Sequence, residues 1–291
     1  MQVINRAGPA PVALETTLLA HGVPRESGAA LARELAGIVR ARGASPAVVG
    51  ILDGSPIVGM TDDEVARLLA SADVPKVNTS NLGIALHRRT HGATTVSATL
   101  ELAAGAGVRV FATGGIGGVH RDYGSRLDIS ADLAALARFP VAVVCSGVKS
   151  LLDVESTREA LETLGIPVVG FRTDRFPAFY LRSCECGVDA RFDEAADLAH
   201  FARAEIARAG RAVLIANPVP ESDQISAAQW SAWLEVARRR IEREPVCGRD
   251  VTPALLSGLH EASGGATLRS NLALVRANTD LAAQLAVRIG S

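Results

Sequence analysis

Short apolar runs and helical patterns alternate along this chain of 291 residues. The runs of strand length are residues 13–17, 46–52, 57–60, 108–112, 141–145, 166–171 and 212–216. The stretches with helical periodicity are residues 27–42, 61–72, 96–104, 131–138, 155–164, 193–208, 226–243, 252–262 and 268–289. Strands that alternate with helices are typical of a parallel sheet covered on both faces. The pattern predicts an α/β fold, in which one α/β/α domain over residues 1–291 has a mainly parallel, mixed central sheet flanked by helices.

Two local signals add detail to this pattern. Asp53-Gly54 lies between two apolar runs, and an Asp-Gly pair in that position predicts a β-hairpin. Thr61 is followed three residues later by Glu64, which is the spacing of a capping box at the start of a helix. We therefore expect one antiparallel pair of strands, followed by a capped helix.

Composition and charge narrow the class of protein. No apolar run reaches the roughly 18 to 20 residues that a membrane span needs. A net charge of −1 gives no electrostatic basis for binding nucleic acid or an anionic membrane. The N-terminal residues lack the pattern of a signal peptide, and four cysteines are too few for a disulfide framework. We therefore expect a cytoplasmic protein without nucleic-acid or membrane partners.

Lysine is nearly absent, because Lys76 and Lys149 are the only lysines among the 30 Lys and Arg residues. Arginine can replace lysine on a solvated surface, but a guanidinium stays charged and cannot form an imine. Codon bias is the alternative explanation for two remaining lysines. Lys149 follows an apolar run on a strand-end loop, a rigid and partly desolvated context that is typical of an imine-forming lysine. Such a lysine needs a partner for proton transfer, and Glu15 is the candidate.

Polar residues follow two of the predicted strands. The first strand ends in Thr113 and four glycines, and the second is followed by residues 146–150. Parallel strands of an open α/β sheet form sites at their carboxyl ends. The N–H groups of the glycine-rich turn are candidates for a phosphate-binding nest, with Lys76, Arg121 and Ser130 as further phosphate ligands.

Asp128 and Asp132 flank Ser130 at the start of a helical pattern. Acids near the first turn of a helix are favoured by its dipole, and this structural role is one interpretation. The other interpretation is functional: one carboxylate holds a divalent cation, directly or through water, and the other orients a substrate.

Seven longer motifs follow one another in order along the chain. They are Ala13-Leu-Glu-Thr-Thr17 with His21-Gly22, Gly92-Ala-Thr-Thr-Val96, Thr113-Gly-Gly-Ile-Gly-Gly-Val-His-Arg121, Leu127-Asp-Ile-Ser-Ala-Asp-Leu133, Val144-Cys-Ser-Gly-Val-Lys-Ser150, Thr173-Asp-Arg-Phe-Pro-Ala-Phe-Tyr180 and Asn217-Pro-Val-Pro-Glu221. With these motifs the chain resembles the pseudouridine-5′-phosphate glycosidase family, also called indigoidine synthase A-like proteins, from residue 12 to the last helix.

The resemblance implies an enzyme of the carbon–oxygen lyase (hydro-lyase) class that reversibly cleaves the C–C glycosidic bond of pseudouridine 5′-phosphate, giving uracil and ribose 5-phosphate. It implies an imine between Lys149 and C1 of the ring-opened ribose, with Glu15 as the acid/base. It also implies a homotrimer that uses a divalent metal, typically Mn²⁺. The further residues implied are Lys76, Val96, Thr113, Ser130, Ala131 and Asp132 for phosphate and sugar, Asp128 for the metal and Asn271 for the nucleobase.

One segment departs from the family pattern. The family usually has Ser-Arg-Arg-Asp-Leu after the residue that matches Lys76, whereas this chain has Asn78-Thr79-Ser80-Asn81-Leu82. Two arginines are therefore missing beside the implied phosphate site, and two alternatives stay open. One is an imine-forming lyase or aldolase that acts on another sugar phosphate or C-nucleoside. The other is a non-catalytic oligomeric accessory protein.

Overall fold

One eleven-stranded sheet runs through the computed structural model. The structure describes residues 2–121, 123–124, 127–243 and 258–290. In the helix that ends at Arg243, side chains are described as far as residue 239. The strands are β1 (Ile4–Asn5), β2 (Pro11–Glu15), β3 (Ser45–Leu52), β4 (Ser55–Val58), β5 (Lys76–Val77), β6 (Gly92–Thr94), β7 (Val110–Ala112), β8 (Ala142–Cys145), β9 (Val168–Phe171), β10 (Ala190–Phe192) and β11 (Val213–Ala216). The prediction of an α/β fold built on a central sheet is confirmed.

The sheet is mixed but mainly parallel, as predicted. Its strand order is β1-β4-β3-β2-β7-β8-β11-β9-β10, and β6 pairs with both β3 and β5. β3 pairs antiparallel with β4 and with β6, whereas the other pairs are parallel. The centre of the sheet, from β2 to β11, is therefore a run of parallel strands whose carboxyl ends lie at one edge.

Helices cover both faces of the sheet. They are α1 (Thr16–His21), α2 (Gly28–Ala41), α3 (Asp62–Ala70), α4 (Leu82–His87), α5 (Val96–Gly105), α6 (Ala131–Arg138), α7 (Val154–Thr163), α8 (Ala195–Ala209), α9 (Ala227–Arg243) and α10 (Ala266–Ile289). Neighbouring strand residues divide between two apolar clusters: Val12 and Leu14 belong to one and Ala13 to the other. The first cluster includes buried residues of α2, α8 and α10, and the second includes those of α5, α6 and α7. Burial on both faces explains why the strands read as continuous apolar runs.

Both local signals are confirmed. Asp53 and Gly54 have φ angles of 50° and 73° between the antiparallel strands β3 and β4, as a type I′ turn requires. The Thr61 hydroxyl accepts a hydrogen bond from the Glu64 N–H at 3.2 Å, and the Glu64 carboxylate accepts one from the Thr61 N–H at 2.9 Å. Short-range sequence therefore determines the hairpin and the start of α3.

The predicted extended run over residues 13–17 is too long, because β2 ends at Glu15 and α1 begins at Thr16. The Thr16 hydroxyl donates to the Val49 carbonyl at 2.9 Å and accepts from the Thr94 N–H at 2.9 Å. These contacts with residues far along the chain override the β-propensity of threonine. Consequently, Glu15 is the last residue of its strand.

Two further predictions concern the C-terminal half and the membrane. Of the helix predicted over residues 252–262, residues 258–262 are helical, and the remainder lies outside the described residues. Among the residues that are described, no helix is both long enough and apolar enough to cross a membrane.

Candidate active site

Three neighbouring strands bring polar residues to one edge of the sheet. Glu15 ends β2, Thr113 follows β7, and Lys149 lies on the loop after β8. These strands are adjacent and parallel, so their carboxyl ends meet. The loops after β7 and β8 are also bonded to each other: the Ile116 N–H donates to the Gly147 carbonyl at 3.0 Å, and the Lys149 N–H donates to the Ile116 carbonyl at 3.1 Å. The sheet thus holds the candidate acid/base close to the loop of the candidate imine-forming lysine.

Glu15 is a buried carboxyl with one close hydrogen-bond donor. It is only 6% exposed, and the Thr113 hydroxyl donates to its Oε1 at 2.5 Å. Burial raises the pKa of Glu15, whereas Lys149 and the hydrogen bond from Thr113 lower it; Asp132 raises the pKa further and Lys76 lowers it, and the net shift is upward. A carboxyl with a raised pKa can hold or release a proton closer to neutral pH than a solvated one.

The two lysines of the chain both act on Glu15 electrostatically. Desolvation and repulsion by Lys149 lower the pKa of Lys76, and the attraction of Glu15 raises it. An anion bound beside both ammonium groups would relieve this repulsion. The prediction of a partly desolvated environment for Lys149 is wrong, since Lys149 is an exposed residue on its loop. Of the proposed acid/base and the proposed imine-forming lysine, Glu15 is the buried residue.

Asp132 connects two turns around the site. Its Oδ1 accepts from the Ser97 N–H at 2.9 Å and its Oδ2 from the Gly117 N–H at 2.8 Å, and the residue is buried. Asp132 therefore joins the first turn of α5 to the glycine-rich turn, which is a structural use of the carboxylate. Its proximity to Glu15 raises the pKa of that group.

The glycine-rich turn is built for close packing. A Cβ atom at Gly117 would lie 2.3 Å from the Ser130 hydroxyl, and one at Gly115 would lie 2.6 Å from the Phe179 ring. The N–H groups of Ile116 and Gly117 already donate to protein oxygens. The expected phosphate nest is therefore not formed by these two amides, and contact with neighbouring segments explains the need for glycine.

The other residues expected to bind phosphate and sugar lie at helix starts. Val96 is the first residue of α5 and Ala131 the first residue of α6. Ser130 is the N-cap of α6, and its hydroxyl accepts from the Asp132 N–H at 3.2 Å. Through Asp132, the starts of both helices are joined to the glycine-rich turn.

Asn271 is buried in α10, and only one end of its side-chain amide has a hydrogen-bond partner among the described residues. Its Nδ2 donates to the Gly22 carbonyl at 3.1 Å, whereas its Oδ1 has no hydrogen-bond partner in the described part of the protein. A buried amide oxygen without a partner is destabilising unless a ligand donates to it. Asn271 can therefore accept a hydrogen bond from an N–H group of a ligand.

Asp128 lies apart from these buried groups. Its side chain is 61% exposed, and its Oδ2 lies 3.8 Å from His120 Nε2. Among the residues that the structure describes, no group of three or more His, Cys, Asp and Glu side chains could hold a metal ion. One exposed carboxylate with a neighbouring imidazole does not form a closed metal cage, and it fits only an ion that keeps most of its water ligands.

The segment that departs from the family pattern is held by its own side chains. Asn78 Oδ1 accepts from the Ser80 hydroxyl at 2.7 Å and from the Ser80 N–H at 2.9 Å. Asn81 Oδ1 accepts from the Asn78 N–H at 2.8 Å, and Asn81 Nδ2 donates to the Lys76 carbonyl at 3.2 Å. These bonds form a neutral turn directly after Lys76, so Lys76 is the cation that this segment offers to a ligand.

Sequence reasoning missed a buried polar group on the last helix. Asn278 is fully buried and hydrogen-bonds with Thr113, Ser146 and Asn217. It is seven residues after Asn271 and therefore lies on the same helix face, two turns along. Two asparagines on the apolar face of a helix were the signal that could have identified it.

Comparison with known sequences gives consistent matches over nearly the whole chain. A family model described as indigoidine synthase A like protein matches residues 2–288. A pseudouridine-5′-phosphate glycosidase of a Nocardioides species is 46% identical over 283 residues, covering 97% of this chain and 92% of the relative. The enzyme of the same name from Streptomyces griseus is 47% identical over 278 residues, covering 95% of this chain and 86% of the relative.

Two solved structures have the same fold. The prealnumycin C-glycosynthase AlnA in complex with ribulose 5-phosphate is 34% identical, with a TM-score of 0.89 and coverage of 100% of this chain and 98% of that one. An indigoidine synthase A-like protein from Thermotoga maritima is 36% identical, with a TM-score of 0.89 and coverage of 99% and 97%.

Proposed function

The chain belongs to the indigoidine synthase A-like family, and on this premise we propose that it is an enzyme that reversibly cleaves the C–C glycosidic bond of pseudouridine 5′-phosphate. The products are uracil and ribose 5-phosphate. The observation that carries the proposal is the buried Glu15, which is held by Thr113 and acted on by both lysines of the chain. This arrangement supplies a proton donor, a candidate nucleophile and a cation for phosphate at one edge of the sheet.

A C–C glycoside lacks a leaving oxygen, so the two-carboxylate route for O-glycosides does not apply. In our proposal Glu15 protonates the ribose ring oxygen as the ring opens, and the neutral Lys149 amine forms a bond to C1. Glu15, which has given up its proton, then takes one from the ammonium nitrogen formed in that step and delivers it to the uracil carbon, while the freed nitrogen lone pair forms the imine and the C–C bond breaks. Water hydrolyses the imine, which releases ribose 5-phosphate and the free amine. In the reverse direction the imine is the electrophile that uracil attacks.

We further propose that Lys76 binds the 5′-phosphate and that Asn271 binds the nucleobase. The repulsion between Lys76 and Lys149 supports the first assignment, because a dianion reduces it. The unpartnered Oδ1 of Asn271 supports the second, because uracil has ring N–H donors. Val96, Thr113, Ser130, Ala131 and Asp132 would complete the walls for sugar and phosphate.

The metal, the assembly and the location are proposals of the same kind. We propose that Asp128, with His120 beside it, holds a hydrated divalent cation such as Mn²⁺, which would supply positive charge near an anionic substrate. We propose a homotrimer, for which the exposed side chains of Leu127 (81%) and Ile129 (44%) offer apolar contact area. We also propose that the protein acts in the cytoplasm.

A second candidate is supported by the neutral turn after Lys76. With a single cation there, the protein would hold a sugar phosphate less tightly than a site with two further arginines. An imine-forming enzyme that joins or cleaves another C-glycoside would keep Glu15 and Lys149 unchanged. The prealnumycin C-glycosynthase AlnA, whose structure is a complex with ribulose 5-phosphate, makes this alternative concrete. The non-catalytic alternative receives no such support.

Borohydride trapping tests the proposed chemistry. The protein is incubated with ribose 5-phosphate, reduced, and examined by mass spectrometry, with and without Mn²⁺. We expect an adduct on Lys149 and less of it when uracil is added before reduction. An unreduced sample that contains uracil should yield pseudouridine 5′-phosphate. The chain offers a matched pair of variants: Lys149→Arg should lose the adduct and Lys76→Arg should keep it, because arginine keeps the charge but cannot form an imine.

The outcomes of trapping separate the candidates. An adduct on Lys149 without any uracil chemistry would favour the second candidate. Complete absence of an adduct from the folded wild-type protein would contradict both.

A further inference from the structure

The last helix contacts the loops after β7 and β8 through the buried amide of Asn278. Asn278 Nδ2 donates to the Thr113 carbonyl at 2.9 Å and to the Ser146 hydroxyl at 3.1 Å. Asn278 Oδ1 accepts from Asn217 Nδ2 at 3.0 Å, and the Ser146 hydroxyl donates to the Asn217 carbonyl at 2.8 Å. Both hydrogens and the oxygen of the Asn278 amide are thus used, and this set of partners fits one orientation of the amide.

Thr113 and Ser146 accept hydrogen bonds from Asn278, and each of them is connected to one candidate reactive residue. Thr113 donates its hydroxyl to Glu15, and its own N–H is bound to the Val144 carbonyl at 3.0 Å. Ser146 begins the loop that contains Lys149, and its N–H donates to the Gly114 carbonyl at 2.9 Å. A displacement of Asn278 would therefore move the hydroxyl that contacts Glu15 and the loop that contains Lys149.

We propose that Asn278 is a positioning residue that sets Glu15 and Lys149 relative to each other through Thr113 and Ser146. The proposal rests on the proposed function, since it assigns those two residues to the reaction. A role in packing alone would lower stability without changing the chemistry. A positioning role predicts a loss of turnover in a folded protein, because a displacement of about 1 Å in an active site costs on the order of 10²-fold in rate.

Asn278→Leu tests this role, because leucine has a similar branched shape and donates no hydrogen bond. In variants that fold as the wild type does, we expect kcat for pseudouridine 5′-phosphate to fall on the order of 10²-fold while KM changes little. Thr279→Val is the matched control: Thr279 is the next residue of α10, is equally buried, and its hydroxyl has no hydrogen-bond partner among the described residues. The control should keep the kcat of the wild type.

Ser146→Ala is the second variant, for the case in which Asn278→Leu fails to fold. It removes one acceptor of Asn278 and leaves the contact with Thr113 intact, so a smaller loss of kcat, about tenfold, is expected. A folded Asn278→Leu or Ser146→Ala protein with the kcat of the wild type would overturn the proposal. An equal loss in Thr279→Val would overturn it as well.

A titration separates failure of this proposal from failure of the proposed function. The charged groups that act on Glu15 are Lys149, Asp132 and Lys76; the variant substitutes none of them, and the proposal expects Lys149 to move with its loop. The charge of Lys149 and the hydrogen bond from Thr113 both lower the pKa of Glu15, so moving Lys149 away or loosening Thr113 should raise that pKa. Carbon-13 NMR of side-chain carboxyls, assigned with Glu15→Gln, measures this shift in protein without substrate. An unchanged pKa would contradict the positioning role even if the wild-type protein proved inactive on pseudouridine 5′-phosphate.

Discussion

At the scale of single residues, the site depends on a carboxyl that the fold removes from water. Burial disfavours the charged form of Glu15, and the two lysines with the Thr113 hydroxyl favour it. The balance leaves the pKa raised, which suits the acid/base role proposed for Glu15. Sequence analysis proposed Lys149 because a rare residue type after an apolar run is visible in one dimension, whereas it proposed Glu15 only as a partner for that lysine, inside an extended run predicted to continue to residue 17. It could not find Asn278 or the role of Asp132, because their partners are distant in the chain.

Glu15→Gln is predicted to lower kcat by about 10²- to 10⁴-fold, the range for a lost general acid/base. It is also predicted to stabilise the protein at neutral pH. Since the pKa of Glu15 is raised in the folded protein, the carboxyl loses stabilising free energy as the pH rises through that pKa. Thermal unfolding from pH 4 to pH 8 should show a Tm difference that favours the variant and grows with pH. A difference that shrinks with rising pH would contradict the raised pKa.

Asp128→Asn is predicted to weaken Mn²⁺ binding about tenfold or more, because the amide keeps the shape of the side chain but loses its charge. Electron paramagnetic resonance of free Mn²⁺ measures binding without any turnover. Asp63→Asn, which removes one charge from the first turn of α3, is the control and should leave binding unchanged. Equal affinity in the wild type and Asp128→Asn would remove Asp128 from the proposed metal site.

At the scale of elements, the candidate site is made by loops that are hydrogen-bonded to one another. The loops after β7 and β8 share backbone hydrogen bonds, and the Phe179 N–H donates to the Ser146 carbonyl at 2.8 Å. Gly147 lies at this junction with a φ of 78°. The glycines of these loops, which the sequence suggested as anion ligands, serve mainly to let three segments approach one another.

Gly147→Ala is therefore predicted to destabilise the protein by at least about 2 kcal/mol, since left-handed backbone is strained for alanine and large losses follow when a fixed neighbour must move. The added Cβ would lie 1.8 Å from the Pro177 carbonyl oxygen. Gly37→Ala is the control: Gly37 lies inside α2 with open space around its Cβ position, and alanine should stabilise it by about 0.5–1 kcal/mol. Denaturant unfolding of both variants checks the opposite signs. Similar effects at the two positions would contradict the packing role of Gly147.

At the scale of the whole molecule, the fold was predictable where local pattern decides it. Apolar runs and helical periods gave the mainly parallel sheet and its two covered faces. The exposed strands β1 and β10 were missed, because Ile4–Asn5 and Ala190–Phe192 lack a buried apolar face. The order of strands was not predictable either, since it depends on pairings such as that of β2 with β7, whose partners are separated by nearly 100 residues.

The position of α10 near the C-terminal end of the chain has a consequence for the stage of synthesis at which the candidate site forms. Glu15, Thr113 and Lys149 are all synthesised before this helix, yet Asn278 supplies the amide that joins their loops. A nascent chain on the ribosome therefore possesses both candidate reactive side chains long before it possesses the amide proposed to align them. Enzymatic competence should arise late in synthesis, when α10 docks on the sheet, so that unfinished chains expose a lysine and a carboxyl without the aligned pair that turnover needs.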